Sequence, residues 1–567
     1  MHLKKDSLNI LIIILFVLFL TLPFANKAVH IDDTVFLYIA NQVTKEPLKP
    51  YSFNLEWSTL TGLATHITDP PLISYYAALI MVLFGESKLV LHISYIIFPL
   101  LAGVSMYYIS KKFTETPLFP TLFLITSATF VVMSHNFMLD IPFLALFLAS
   151  LSFYIYGVDY ENNYLIGLGA FFCSLALLTK YSGLVLLPIL AVYSLFKNKP
   201  KSLIYLLIPL TTIVLWNLYT FKVYGLPHTL QIFYYMLNSQ SSFALNSIII
   251  RIITNFTYIG GASIFPLMLI YPFLLNKNNR VYYFIILTFA LILSVILYFV
   301  SANFSYRYMI PQLMLFTFFL STGMFFIFVI VKHYATPLKK LLKTIYSNGL
   351  NKLLYTIKIK YSNDFFLFSW LIIGFLFNST IAGGAARYST ILIPPLMIMY
   401  FTVITHFSLL SAKKIYNFVV LTLILNLVLC IALSYADYQL AGTYRDFAEY
   451  VDKSKIVEDK GKVWFTGYLG FQYYMEAKGY TALGLNDNSP KKGDFIIKAK
   501  MPSPRAISPL LKERIVLTET KSYKSNFPLR IHNAKARAGF YTFGGGFLPY
   551  SFSNSNLEDF EIYKVIK

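Results

Sequence analysis

The stretch LNILIIILFVLFLTLPFANKAVHIDDTVFLYIANQV, residues 8–43, decides how the rest of the chain is read. Its first half is an apolar run from Leu8 to about Phe24, preceded by Lys4 and Lys5. Such a run crosses a hydrocarbon core of about 30 Å, and basic residues stay on the cytoplasmic side. The N-terminus is therefore expected in the cytoplasm, and the adjacent carboxylates Asp32 and Asp33 emerge on the outer face. Val35, Phe36, Ile39 and Val43 then share one face of an amphipathic helix lying on the membrane. One acid can cap that helix. The second, beside the bilayer, has no such structural reason.

The composition extends this reading. Of 567 residues, 57% are hydrophobic and 13% charged, with mean hydropathy +0.61, whereas soluble domains carry about 25% charged residues. Apolar runs recur to about Tyr435, after which Lys, Asp, Glu, Gly and Pro become dense. The fold class expected is a polytopic α-helical membrane protein of about 13 spans (residues 1–434, with a long first exterior loop, 26–88) followed by an extracytoplasmic α/β domain (435–567). The spans fall near 8–25, 89–109, 117–135, 141–157, 164–179, 182–196, 202–221, 254–275, 281–300, 308–331, 364–380, 388–409 and 415–434, with the short segment 71–84 at the interface. This threading puts Lys111, Lys112, Lys197, Lys199, Lys413 and Lys414 inside. The many downstream spans favour an uncleaved first helix over a signal peptide.

The formal charge of +21 lies in loops and tail, with no basic stripe interleaved with aromatics, so a nucleic-acid partner is not expected. Cys173 and Cys430 sit in separate spans and read as buried hydrophobes, with no disulfide set or structural zinc. In the tail, TFGGGFLPYSFS is Gly-rich but lacks the Lys-Ser/Thr of a nucleotide-binding loop.

Isolated charges at span ends collect on one face, and charges near a bilayer are costly and mark function. Asp69 precedes Pro70-Pro71, and His66 lies just before it. Asp140 opens a span in MLDIP and returns a second carboxylate to the face that carries Asp32. Each acid also reads as a helix cap, and His66 as an interfacial histidine. Paired carboxylates suit a general base for a hydroxyl or a divalent-cation site. Arg307-Tyr308 and Arg387-Tyr388 open outward turns, each followed by a proline within the next span, and Lys180 marks another turn. Arg-Tyr at a boundary is ordinary snorkelling. Two such pairs opposite carboxylates suggest a place for a phosphate beside an acceptor, since the guanidinium fork suits phosphate.

Taken in order, IDDTVFLYIAN, DPPLISYYAALIMVLFGES, MLDIP, LLTKYSGLVLLPIL, RYMIPQLML and VWFTGYLGFQYYMEAKGY resemble the GT-C membrane glycosyltransferases, in particular the protein O-mannosyltransferase and lipid A aminoarabinose transferase group. The resemblance implies that Asp32 is the key first-loop acid, Asp33 its neighbour, Asp140 the second-loop acid and Arg307 the partner of a lipid phosphate. It implies transfer of a sugar from a polyprenyl phosphate to a hydroxyl of a glycan, lipid or protein, with inversion, at the outer face of the plasma (inner) membrane. Arg387, Lys180, Asp69, His66 and Tyr308 are candidate substrate-binding residues. No cofactor is required by this reading. A divalent cation between Asp32 and Asp140 is the less favoured variant, because a phosphate held by arginine leaves readily. The aminoarabinose branch carries Lys before the proline where this chain has Asp69-Pro70, which counts against that sugar. The rival readings are a transporter or lipid-linked sugar flippase and a polysaccharide polymerase or ligase. Charges at outer span ends, rather than mid-membrane on inverted repeats, count against transport.

Overall fold

The computed structural model describes residues 2–567 apart from 58–59, 67–68, 239–244, 304–305, 349–361, 381–383, 408–411, 455–460, 485 and 502–504. Among the described residues seven helices are long and apolar enough to cross a membrane, or eight if one bent pair counts as a single span. The first helix, α1 (His2–Thr21), is followed after a short turn by α2 (Asp33–Lys45). Val35, Ile39 and Val43 of α2 are buried as their spacing predicts, though they pack into the protein core rather than lying on lipid alone.

The expected thirteen spans differ from the helices observed because several apolar runs are broken. The run 117–135 divides into Leu118–Ile125 and Ala128–Met133, with Ser127 capping the second piece. The run 254–275 bends by 93° between Leu245–Ser263 and Pro266–Leu274, where Pro266 opens the second arm and cannot continue the first. Asn163–Thr179 and Tyr181–Phe196 are apolar but shorter than the spanning helices. Residues 71–84 form the 13-residue helix Leu72–Phe84, about 20 Å long at 1.5 Å per residue and so too short to span. Apolarity is legible residue by residue. A break set by one serine cap or proline is not.

The remaining framework consists of α3 (Asp140–Asp159), α4 (Lys277–Val300), α5 (Ile310–Asn348) and α6 (Ala412–Asp452). Helix α3 is the central post, with most of its residues buried, whereas α4 exposes nearly all of its apolar surface, as a lipid-facing helix does. Helix α6 runs unbroken through the composition change at 435. Beyond it stands a five-stranded mixed sheet of β1 (Val463–Thr466), β2 (Thr481–Ala482), β3 (Phe495–Ala499), β4 (Ile515–Tyr523) and β5 (Glu558–Val565), in the order β2-β1-β3-β5-β4. Strands β1, β2 and β3 are parallel and β5 is antiparallel to both its neighbours. Phe447 of α6 stacks on Phe560 of β5 at 3.6 Å between centroids, so the helix end and sheet share one core.

The C-terminal region lies directly on the first loop. Thr34 Oγ1 donates to the Leu469 carbonyl at 2.9 Å, and the Val29 amide donates to Tyr474 Oη at 2.8 Å. Arg387 N–H donates to the Phe540 carbonyl at 3.4 Å. The sheet region therefore sits on the same side as Asp32.

Candidate active site

The chain turns sharply just before the acids. Ile31 has φ +49°, a left-handed conformation that a β-branched residue avoids. The turn sends the two acids in different directions. Asp33 is fully buried, and its Oδ2 accepts from the His30 amide at 3.1 Å while Oδ1 accepts from the Phe137 amide at 2.7 Å. It thus closes the start of α2 and ties the first loop to the 135–140 loop. Burial pushes its carboxyl up to about 7, against the pull of Lys27 and of those two amides. Asp32 makes no side-chain cap at the N-terminus of α2. It stays partly open and faces Arg387, whose Nη1 is 2.8 Å from Oδ2.

Arg387 is the meeting point. It sits in the 3-10 turn Ala386–Ile391 between two helices, and the same Nη1 lies 3.8 Å from Oδ2 of Asp140. Its Nη2 donates to Tyr388 Oη at 3.2 Å. Asp140 is buried at the start of α3 and accepts from Lys180 Nζ at 3.0 Å. Lys180 stands in the bend between Asn163–Thr179 and Tyr181–Val185, with Nζ 4.7 Å from the Tyr388 ring centre. Asp69 joins this group. Loss of hydration raises its carboxyl to about 6, opposed by Lys180 and Arg387 and reinforced by Asp140 and Asp32. Four turns distant in sequence therefore converge three carboxylates and two cations. A cation bridging Asp32 and Asp140 would have to displace the Arg387 guanidinium from between them.

The other candidates lie elsewhere. Arg307 is exposed, stacked on Tyr298 with its guanidinium carbon 3.8 Å from the ring centre, and makes no recorded contact with the carboxylates. The phosphate partner assigned to it by resemblance is better placed in Arg387. Tyr308 is buried against the C-terminal region, where its hydroxyl accepts from the Phe547 amide at 2.8 Å and Arg537 lies over its ring. It reads as a docking contact. His66 ends the 3-10 turn Ala64–His66, and its side chain lies outside the described residues.

One network escaped the sequence reading. Lys27, fully buried, donates to Asn136 Oδ1 at 2.6 Å and pairs with Asp437 of α6. His30 Nε2 is 3.3 Å from the other oxygen of Asp437, and Tyr541 donates to Asp437 at 2.7 Å. Burial lowers the affinity of His30 for a proton, partly offset by Asp437. Lys27 lies directly beyond the first span and Asp437 lies within an apolar helix. Charges in such settings were the available signal.

Residues 68–223 match the protein-family model described as dolichyl-phosphate-mannose-protein mannosyltransferase. That segment contains Asp69, Asp140 and Lys180. No curated protein matches the sequence. Among solved structures, ArnT from Cupriavidus metallidurans bound to undecaprenyl phosphate is similar over 88% of this chain and 93% of its own, with 13% identity and a TM-score of 0.41. The apo oligosaccharyltransferase of Archaeoglobus fulgidus is similar over 84% of this chain and 64% of its own, with 12% identity and a TM-score of 0.49. The chain resembles the GT-C membrane glycosyltransferases, and the family match carries that resemblance.

Proposed function

We propose that this protein is a glycosyltransferase that moves a sugar from a polyprenyl phosphate to a hydroxyl acceptor at the outer face of the plasma membrane, with inversion. The observation that carries the reading is Arg387 held between Asp32 and Asp140, with Lys180 on the far side of Asp140. An acceptor hydroxyl is a weak nucleophile, and a carboxylate beside it accepts its proton as the new bond forms. In one displacement the acceptor oxygen bonds to the anomeric carbon and the bond from that carbon to the phosphate oxygen breaks. The proton passes to Asp32, and the lipid phosphate leaves with the electron pair. Arg387, with Lys180, stabilises its charge in a site that has little water. A single displacement inverts the anomeric centre.

The pairing of Asp32 with Arg387 adds an order to these steps. While the guanidinium is bound to the base, the base is engaged. A donor phosphate competes for the same fork, and its arrival frees Asp32 for the acceptor. Donor is therefore expected to bind before acceptor. In this assignment Asp33 positions Asp32 through the Ile31 turn and Asp140 holds Lys180 and Arg387. Residues 1–434 form the catalytic membrane domain, and 435–567 form an extracytoplasmic domain covering it.

The experiment is sugar release from a panel of radiolabelled polyprenyl-phosphate sugars by purified protein in lipid, comparing wild type with Asp32→Asn and Arg387→Ala. Removal of a general base lowers the rate by about 10²–10⁴-fold, and Arg387→Ala should in addition weaken donor binding. If folded wild type turns over no donor, or Asp32→Asn matches it, the catalytic reading fails.

A further inference from the structure

A cleft of about 830 Å³ lies away from the carboxylate cluster, where the outer ends of α4 and α5 meet the C-terminal region. Its wall on the membrane side is apolar and faces outward. Ile310 is 70% exposed, and Phe299 on the neighbouring helix end is 66% exposed. Surfaces of this kind on spanning helices face acyl chains. Across the cleft the C-terminal region adds Phe552, 57% exposed, at the same mouth. The floor is fixed by Gln312, whose side chain accepts from the Met309 amide at 3.0 Å and donates to the Lys535 carbonyl at 3.1 Å. Helix start and soluble region are thereby clamped into one wall.

The polar side of the cleft has a defined charge. Arg307 is exposed within it, flat on Tyr298, with no carboxylate partner among the described residues. The second cation, Lys535, is already matched by Asp559 at 3.2 Å. One uncompensated guanidinium remains, braced by an aromatic face and beside the hydroxyls of Ser553 and Ser555. Sites of about 300–1,000 Å³ hold small amphipathic ligands, and an arginine fork beside hydroxyl groups suits a phosphodiester.

We propose that this cleft binds the headgroup of an anionic glycerophospholipid, with its phosphodiester on Arg307 and its acyl chains along Phe299 and Ile310. A headgroup with one net negative charge matches the single free cation. A zwitterionic headgroup brings its own cation and gains less. The occupant reaches the cleft by lateral diffusion, since its mouth opens onto the lipid-facing ends of α4 and α5. It is not the reacting phosphate, because the segment from Arg537 to Tyr550 lies between. That segment touches Tyr308 beside the cleft and Arg387 in the acidic cluster. The proposal goes beyond the donor assignment and uses it only in placing the donor phosphate at Arg387. Bound lipid would brace the C-terminal region over the site.

The test is native mass spectrometry of the full chain released from bilayers containing phosphatidylglycerol, phosphatidylcholine and a polyprenyl phosphate. Wild type should retain phosphatidylglycerol over phosphatidylcholine. Arg307→Ala should lower that preference about tenfold and leave polyprenyl phosphate retention unchanged, while Arg307→Lys keeps part of it. The exposed position of Arg307 makes a folding defect unlikely to mask the result, and an unchanged melting midpoint checks this. Equal retention of both phospholipids by wild type, or wild-type preference in Arg307→Ala, overturns the proposal. So does loss of polyprenyl phosphate in Arg307→Ala, which would make the cleft a donor site. If Arg387→Ala fails to lower polyprenyl phosphate while Arg307→Ala lowers phosphatidylglycerol, the donor assignment falls and the lipid cleft stands.

Discussion

Asp69 gives the site a pH dependence whose sign follows from its surroundings. Its carboxyl is raised from 3.8 to about 6 by loss of hydration. Below that value the cluster holds two carboxylates against Lys180 and Arg387, and above it three. An anionic donor is therefore expected to bind more weakly as pH rises through about 6, by about tenfold for one added charge nearby. Donor titrations across pH 5–8 would show this, and Asp69→Asn should bind donor with a flat profile. Unchanged pH dependence in Asp69→Asn would remove Asp69 from the account. The folded state also holds this proton more tightly than the unfolded chain. The matching stability is present below the unfolded value and is lost as pH rises through about 6. A second residue-scale expectation concerns Lys27. Its partner Asp437 is buried, so Lys27→Met leaves an uncompensated charge and should cost about 3–5 kcal/mol, read as a lower melting midpoint. Lys27→Met combined with Asp437→Leu should recover much of that loss. Sequence reading found Asp32, Asp69, Asp140, Lys180 and Arg387 as charges at turns, because a charge near lipid is conspicuous. It could not separate Asp32 from Asp33. That distinction depends on the strained turn at Ile31 and on an amide donated by Phe137, more than a hundred residues away.

At the level of elements, the bent helix pair is anchored by glycine. A Cβ on Gly260 would lie 1.9 Å from the Phe319 carbonyl oxygen, and one on Gly323 would lie 2.0 Å from that of Phe256. Each glycine thus admits the other helix's backbone, the close approach that small residues permit between membrane helices. Gly260→Val should lower the melting midpoint by more than the about 1–3 kcal/mol typical of overpacking, because the obstacle is backbone and cannot rotate away. Gly442→Ala offers a control, since its added Cβ would meet nothing closer than 4.0 Å. Equal stability of the two variants would contradict this packing. Such a crossing has no periodic signature. The long apolar runs of α4 and α5 were legible because lipid imposes hydropathy along their whole length. The 93° bend and the split of 117–135 were not, because a cap or a proline acts locally within a run that stays apolar.

For the whole molecule, the contacts between distant parts of the chain constrain how it is threaded. Leu469 and Tyr474 touch the first loop, Phe540 touches the turn that carries Arg387, and Tyr541 reaches Asp437. Those segments must share a side of the membrane, whatever the number of crossings between them. Lys111 and Lys112 end the helix Ile97–Phe113, and Lys111 pairs with Asp6 near the N-terminus at 2.5 Å. The N-terminus and residues 111–112 therefore share the other side, and only α1 separates Asp6 from Asp32. The change of composition near 435 made the C-terminal region visible as a separate unit. Its docking on the first loop rests on pairings over more than 400 residues, which no local pattern records. A cysteine-free variant with single cysteines at Glu86, Lys112 and Lys524 tests the threading with an impermeant maleimide on intact cells. Cysteines at 86 and 524 should label from outside, and 112 only after the membrane is opened. Labelling of 112 with protection of 86 would invert the molecule and move the acidic cluster inside. Labelling of 86 but not 524 would contradict the docking of the C-terminal region on the first loop, and with it the shared side on which the ordered donor and acceptor steps depend.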